Sequence, residues 1–380
     1  MRLLSDSSSG EKSRFFEPTR AAVVRYSLLL FFLGLAEATF AQGPSATLLT
    51  LDRPSTPQGP ATATSSISRE VKEVFEKAAK AVVKIRGTDE HGDFAGTGFF
   101  IDPAGTLYTA FSVGGDADSL TVEFNGKKYP ARVALADVRS GITLLQAEVA
   151  TPALPIGKSD QLEVATPVIA IGYPLDLPAT PSFGMVAGFD RKYLGRYFST
   201  THLRVNLATQ RGEAGAPLLN FKGEVVGILV SSIDNGSACY ALPINAAEKV
   251  RNDFVRFGEA RHGWIGITVA EAETAKDGSR AEMTEIMRDT PAYGSGVHPG
   301  DVVLQVGNLK IHGPEDVIDA SFFITAGDKV PITVVRGNEK LTFDIEADFH
   351  PASRHPTFLA APSSNNPAIP LRLDSVGRTP

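Results

Sequence analysis

The segment GTGFFIDPAGTLYTAFSV (residues 96–113) decides the fold, because it places two short apolar runs on either side of an Asp-Pro-Ala-Gly turn. Aromatic and β-branched residues dominate both runs, which is typical of β-strands. Similar runs continue to about residue 241, and each is bounded by Gly, Pro, Asn or Asp. Many short strands at even spacing predict a β-sandwich or a β-barrel.

The composition is that of a globular protein of several domains. The chain has 380 residues, which allows two or three domains at ~150 residues each. The net charge of −6 and the lack of a basic stripe argue against nucleic acid as a partner. Because Cys239 is the only cysteine, an intramolecular disulfide and a Cys-based zinc site are both excluded. No metal or organic cofactor is implied.

The N-terminus has the features of an export signal. Arginines precede an apolar run over residues 26–36, which is too short to span a bilayer as a helix. Small residues follow, and Thr39-Phe40-Ala41 fits a cleavage site. We therefore predict a signal peptide over residues 1–41 and a periplasmic or extracellular protein. An uncleaved membrane anchor is the alternative.

Changes in composition divide the rest of the chain. Residues 42–66 are rich in Pro, Ser, Thr, Ala and Gly, and we predict a flexible linker there. Two domains follow over residues 67–258 and 262–348. The remaining residues, 349–380, lack any hydrophobic periodicity and are predicted to be disordered.

Local signals mark the ends of the first domain. Ser68 is placed to cap a helix whose apolar residues recur at helical spacing. Residues 221–224 lie between two apolar runs and predict a hairpin turn. A second helical pattern over residues 243–257 closes the domain.

Five segments of the first domain resemble, in order, the trypsin-like core of the HtrA/Deg family of secreted serine proteases. They are residues 96–113, 139–146, 167–177, 207–228 and 239–245. The resemblance implies a mainly β fold, in which a trypsin-like double six-stranded β-barrel is followed by an α+β PDZ domain. It also implies a homo- or hetero-oligomer, commonly a trimer formed through the barrel domain.

The residues that would carry the family's chemistry are replaced. In that family a serine attacks the peptide carbonyl, a histidine takes its proton, and an aspartate orients the histidine. The histidine position falls on Ser112, the aspartate position on Gly141, and the serine position on Ala214. Loss of such a triad removes on the order of 10⁶-fold in rate. The resemblance therefore implies a protease fold without an intact triad, as in a pseudoprotease.

The backbone of the site is the part that remains. By resemblance, the N–H groups of Gly212 and Ala214 would form a vestigial oxyanion hole. Glu213 and Ala216 replace the Asn and Gly of the family. We expect the extra carboxylate and methyl group to lie beside the hole and to disfavour binding of a substrate there.

Three residues of the barrel region are candidates to replace the missing catalytic groups. His91 and His202 are the two histidines of the barrel region, and the sequence favours ordinary solvated or hydrogen-bonded roles for both. Cys239 lies in an apolar run, where a buried and unreactive thiol is the more common case.

The second domain resembles a PDZ domain of the HtrA type. Such domains bind a peptide by adding it as a strand to a sheet edge, and backbone N–H groups hold its terminal carboxylate. By resemblance, the peptide-binding residues fall in a carboxylate loop, on the strand after it and on a helix over residues 314–324. They are Trp264, Ile265, Gly266, Ile267, Val269, Val317 and Phe322. For Trp264 a packing role and a groove role stay equally open.

These observations favour a non-catalytic HtrA-like protein that binds peptide C-termini or unfolded segments through its PDZ groove and regulates active relatives. The alternative is a serine-type endopeptidase of protein quality control that uses an unidentified nucleophile. A structural component of the cell envelope is a third interpretation.

Overall fold

The computed structural model describes residues 63–194 and 196–350. The predicted signal peptide and nearly all of the predicted linker and tail lie outside these residues. Among the helices of the described part, none is long and apolar enough to cross a membrane.

Four α-helices accompany the strands. They are α1 (Ala63–Ala78), α2 (Phe111–Gly114), α3 (Ile244–Phe257) and α4 (Pro314–Phe322). The prediction that the first helix begins at Ser68 is wrong, because α1 runs back to Ala63 and no Pro or Gly interrupts those residues. The predicted closing helix is confirmed as α3, which ends where Gly258 adopts a φ of 79° and its N–H donates to the Phe254 carbonyl at 2.7 Å.

The first barrel is a closed sheet of six strands in the order β1-β2-β3-β6-β5-β4. Its strands are β1 (Val82–Asp89), β2 (Gly92–Phe100), β3 (Thr106–Ala110), β4 (Ser119–Phe124), β5 (Lys127–Asp137) and β6 (Ile142–Ala147). The Asp-Pro-Ala-Gly turn joins β2 to β3, as the sequence predicts. Alternation along β4 sends Leu120, Val122 and Phe124 inward, and the polar residues between them stay more exposed.

The second barrel repeats this architecture in the order β10-β11-β12-β9-β8-β7. Its strands are β7 (Pro167–Gly172), β8 (Thr180–Tyr193), β9 (Arg196–Asn206), β10 (Pro217–Leu219), β11 (Val225–Ile233) and β12 (Ala238–Pro243). The predicted turn lies between β10 and β11, where the Asn220 side chain accepts hydrogen bonds from the N–H groups of Lys222 and Glu224. Two closed barrels confirm the predicted fold of the first domain.

The second domain is a smaller α+β unit. Its strands are β13 (Gly263–Trp264), β14 (Ile267–Lys276), β15 (Ser279–Ile286), β16 (Val302–Val306), β17 (Leu309–Lys310), β18 (Lys329–Arg336), β19 (Glu339–Glu346) and β20 (Asp348–Phe349). The main sheet has the order β14-β15-β16-β18-β19, so β14 is an edge strand. The strands at the two ends of the domain, β13 and β20, pair with each other.

One apolar cluster joins the helix α1 to both barrels. Val74 of α1, Phe99 of the first barrel and Ile171 of the second barrel all belong to it. Phe322 at the end of α4 belongs to the same cluster and is fully buried. Its ring lies 5.3 Å from the ring of His262, centroid to centroid. The second domain is therefore anchored to the barrels by part of their shared core.

Buried polar contacts reinforce this junction. Lys249 and Asp253 of α3 form an ion pair of 2.7 Å, and both side chains are almost completely buried. Thr325, which follows α4, donates to the other oxygen of Asp253 at 2.9 Å. On α4 itself, Asp319 accepts from the Thr200 hydroxyl of β9 at 2.6 Å. A buried carboxylate with such partners fixes the position of the domain that supplies them.

Phe322→Ala should lower the free energy of unfolding by about 3–5 kcal/mol, because it leaves a cavity in the shared core. Phe323→Ala is the matched control, since the neighbouring ring is 38% exposed, and it should cost about 1 kcal/mol or less. Urea denaturation of the two variants measures the difference. Equal losses would contradict the placement of Phe322.

Candidate functional site

The three degenerate triad positions meet where the barrels face each other. The N–H of Phe111 donates to the Gly141 carbonyl at 2.8 Å, so the start of α2, which carries Ser112, lies against Gly141. The Thr97 N–H of β2 donates to the Ala214 carbonyl at 3.0 Å. These contacts bring the backbone at Ser112, Gly141 and Ala214 to the junction of the two barrels, and the assignment of these residues as triad positions follows from the resemblance.

None of these positions supplies a catalytic side chain. Ser112 is exposed on a four-residue helix, and a hydroxyl is no base near neutral pH. Ala214 carries no nucleophilic atom. Gly141 has a φ of +77°, and a Cβ built there would lie 3.8 Å from Cγ1 of Val230. The missing carboxylate is thus matched by a left-handed backbone that disfavours a side chain, whereas the contact with Val230 is an ordinary van der Waals distance.

The loop that carries Ala214 keeps two backbone donors. Gly212 has a φ of +98°, and its carbonyl accepts a hydrogen bond from the Thr97 hydroxyl at 2.7 Å. Among residues 63–194 and 196–350, no acceptor lies within hydrogen-bonding distance of the N–H of Gly212 or of Ala214. Unpaired N–H groups of this kind are what a carbonyl or carboxylate oxygen would bind.

The expectation that Glu213 and Ala216 crowd this loop is wrong. The carboxylate of Glu213 turns back and accepts the Gln210 N–H at 2.6 Å, and the residue is 3% exposed. Burial raises the pKa of Glu213, and this hydrogen bond partly opposes the shift. The methyl group of Ala216 is fully buried in the core of the second barrel. Both side chains therefore point into the protein and away from solvent.

The residues weighed as substitutes do not fit a catalytic role. Cys239 is buried in the second barrel, where burial and the nearby Glu213 carboxylate raise its pKa to about 12. A thiol with that pKa stays protonated and is a poor nucleophile at neutral pH. His202 is buried against the ring of Phe198, and burial lowers its pKa. His91 lies exposed in the turn between β1 and β2.

The second domain has the geometry of a carboxylate loop beside an edge strand. The carbonyls of Ile265 and Gly266 accept hydrogen bonds from Ala292 and Met287 at 2.8 and 2.9 Å. In the described part of the chain, the N–H groups of Ile265 and Gly266 donate to no acceptor. Gly266 has a φ of +84°. These two donors precede β14, whose outer edge pairs with no other strand among those residues.

The proposed groove residues fall into two groups. Ile267 and Val269 on β14 and Val317 on α4 belong to the apolar cluster of this domain. Trp264 is half-buried and pairs with Asp348, and its ring lies 6.4 Å from that of His350. The prediction that Phe322 lines the groove is wrong, because its ring packs into the core shared with the barrels. On a helix of nine residues, Phe322 and Val317 point in different directions.

Among the described residues, no group of three or more His, Cys, Asp or Glu side chains could hold a metal ion.

Comparison with known proteins agrees with both parts of this geometry. Residues 96–228 match the family model of the trypsin-like peptidase domain, and residues 263–347 match that of the PDZ domain. The chain thus consists of a trypsin-like peptidase domain followed by a PDZ domain, and its homologues are the HtrA/DegP proteins.

Two curated relatives and one solved structure illustrate the similarity. The mitochondrial serine protease HTRA2 of Bos taurus is 28% identical over 352 residues, which cover 83% of this chain and 72% of the relative. A protein of Chlamydia trachomatis named as a probable periplasmic DegP-like serine endoprotease is 26% identical over 264 residues. That match covers 66% of this chain but only 53% of the relative. The HtrA-type protease AlgW, solved with a tripeptide, shares the fold with a TM-score of 0.65 at 22% identity, over 74% of this chain and 97% of AlgW.

Restoring the triad by Ser112→His, Gly141→Asp and Ala214→Ser together should leave activity about 5- to 30-fold below that of an active HtrA protease, the factor that corresponds to about 1–2 kcal/mol. The side chain at position 141 would start from a left-handed backbone, at a cost of about 1–2 kcal/mol. Cleavage of casein by the triple variant measures activity, and urea denaturation of Gly141→Asp measures the cost. Full activity in the triple variant would show that the backbone at Gly141 readily adapts.

Proposed function

We propose that this chain is an exported, non-catalytic HtrA-type protein, which binds the C-termini or unfolded segments of other polypeptides in its PDZ groove. It regulates catalytically active relatives by joining their oligomers. The observation that carries the proposal is a cleft whose backbone is kept while its three catalytic positions hold Ser112, Gly141 and Ala214.

The binding part of the proposal is supported by the carboxylate loop. Two unpaired N–H groups, from Ile265 and Gly266, stand at the start of an edge strand, which is the arrangement that β-strand addition requires. AlgW, whose fold is similar, was solved with a tripeptide and with a decapeptide. An extended peptide that pairs with β14 would place its terminal carboxylate at this loop.

The location and the assembly are inferred from the relatives and from the resemblance to the family. The DegP-like relatives are named as periplasmic, in agreement with the export signal predicted from residues 1–41. A trimer, alone or mixed with an active relative, follows from resemblance to the family. The relatives are also named as serine endoproteases, so cleavage is the second candidate function.

The purified full chain should not cleave β-casein at neutral pH above the level of a mock purification, because loss of the triad removes on the order of 10⁶-fold in rate. An active HtrA protease in the same assay shows that the substrate is susceptible. Cleavage that stays with the protein through further purification would revive the endopeptidase interpretation and call for a search for its nucleophile.

Gly266→Ala should abolish binding of C-terminal peptides, because the added Cβ would lie 2.3 Å from Cβ of Thr290 and would displace the loop. Gly278→Ala is the matched control: its φ is also +84°, but no atom lies within 4 Å of the added Cβ. Binding is measured by fluorescence polarisation with peptides selected from a C-terminal library.

Both variants carry the same backbone strain, so only the change at Gly266 should affect affinity. Unchanged binding by Gly266→Ala, at unchanged stability, would exclude the loop as the peptide site. Such a result would favour a purely structural role in the envelope.

A further inference from the structure

The two ends of the PDZ domain meet at a pair of histidines. His262 immediately precedes β13, and His350 immediately follows β20. The N–H of His350 donates to the His262 carbonyl at 2.9 Å, which extends the pairing of the two strands by one residue. Both histidines are therefore held at the point where the chain enters and leaves the domain.

The barrels contribute charged groups to the same point. Asp137, at the end of β5, accepts a hydrogen bond from Nε2 of His262, with distances of 2.9 and 3.0 Å to its two oxygens. Both residues are buried. Arg139, in the loop that leads to Gly141, donates its backbone N–H to Asp137, and its positive charge disfavours the charged form of His350. Nη1 of Arg139 and Nδ1 of His262 are buried and have no hydrogen-bond partner in the described part of the chain.

The charged groups around the two histidines are already largely paired with one another. Helix α3 adds Lys249 and Asp253, which pair with each other. The PDZ ends add Arg261, whose backbone N–H bonds Asp253, and Asp348 on β20. The Asp137 carboxylate accepts hydrogen bonds from His262, from the Ser140 hydroxyl and from the N–H groups of Arg139 and Ser140. The Asp253 carboxylate accepts hydrogen bonds from Lys249, Arg261 and Thr325. Both oxygens of each carboxylate therefore already accept at least one hydrogen bond.

A proton on His350 therefore meets two unfavourable conditions. The ring is half-buried, and Arg139 and His262 both act electrostatically against its charged form. Burial, followed by these two neighbours, lowers the pKa of His350 to about 4. His350 is thus held in its neutral form while β13 and β20 are paired, an arrangement that we call the docked form.

We propose that this junction is an acid-sensitive hinge, in which protonation of His350 beside Arg139 and His262 separates β20 from β13 and loosens the adjoining Trp264 loop. Only two pairs of residues in the described part, Gly263 with Phe349 and Trp264 with Asp348, join these strands beside the bond from the His350 N–H to the His262 carbonyl. Because Trp264 is the first residue of the carboxylate loop, loosening this loop would release a bound peptide. That last consequence rests on the proposed function, whereas the hinge itself does not.

The direction of the pH effect follows from the sign of the shift. A histidine whose pKa is lower in the docked form takes up a proton when the hinge opens. The docked form therefore has its full stability relative to the open form above about pH 6.5, and this stability decreases as the pH falls towards 4. Asp137 acts outside this window, because its contacts with His262 and Ser140 outweigh burial and lower its pKa from 3.8.

The chain contains its own reporter for this motion. Trp264 is the only tryptophan, and its ring lies 6.4 Å from the ring of His350. We would titrate the full chain from pH 7 to pH 4 and follow tryptophan fluorescence and its quenching by acrylamide. Far-UV circular dichroism on the same samples detects any global unfolding. No peptide is needed, so failure of the hinge is distinguishable from failure of the peptide-binding proposal.

The wild type should show increased quenching of Trp264 on acidification while the circular dichroism stays constant. The ratio of open to docked hinge should rise about tenfold to a hundredfold between pH 7 and pH 4, and the lower figure allows for solvent around a half-buried ring. His350→Gln should remove this transition. His202→Gln is the matched control, because it replaces a buried barrel histidine of lowered pKa and should leave the transition unchanged.

Arg139→Gln tests the same mechanism without touching His350. Removing the guanidinium relieves the repulsion, so the midpoint of the Trp264 transition should move to higher pH. The hinge is refuted if the transition persists in His350→Gln, or if His202→Gln abolishes it. A midpoint that stays fixed or falls in Arg139→Gln would equally refute it, as would a wild-type signal that changes only together with the circular dichroism.

Discussion

Thr97 is the residue through which the two barrels hold their cleft together. Its N–H donates to the Ala214 carbonyl, and its hydroxyl donates to the Gly212 carbonyl and accepts the Tyr173 N–H. Its own carbonyl accepts the hydroxyl of Thr109 on the neighbouring strand at 2.7 Å. Thr97 is completely buried, and each of its polar groups has a partner. A single side chain of the first barrel therefore positions the loop that the second barrel contributes to the cleft.

This arrangement explains how the catalytic side chains are replaced while the cleft persists. The contacts of Thr97 are made to backbone atoms of Gly212, Ala214 and Tyr173, so they do not depend on a serine at position 214. The cores of the two barrels are likewise built without the three triad positions, apart from partial packing by Ala214. Fold and catalysis are separable here because they use different atoms of the same loop.

The PDZ domain is bound to the barrels by a second set of contacts. Phe322 contributes apolar packing, the partly buried Asp319 accepts hydrogen bonds from the barrel, and the buried Asp253 has partners on both sides of the junction. Helix α4, which would form one wall of the proposed peptide groove, packs into its own domain through Val317 and is held by the barrels through Asp319 on another face. A groove whose helical wall is fixed in this way is preorganised for its ligand, and less ordering entropy is lost on binding.

Much of this protein is determined by sequence features that are local. Alternating apolar residues, turn sequences such as Asp-Pro-Ala-Gly and the helical pattern of α3 specify their elements without help from distant residues. The replacements at Ser112, Gly141 and Ala214 are equally plain, because a missing functional group is a property of the residue itself.

The directions of side chains belong to the tertiary structure. Periodicity shows that Phe322 and Glu213 lie in ordered elements, but the surface that buries each of them comes from chain segments far away in sequence. The pairing of His262 with Asp137 joins residues 125 positions apart. Such contacts depend on how two barrels and a third domain pack against one another, and packing of distant segments leaves no periodic signal in either of them. The sequence by itself thus determined the elements and the residues at positions 112, 141 and 214, and the tertiary structure decided which buried groups face one another.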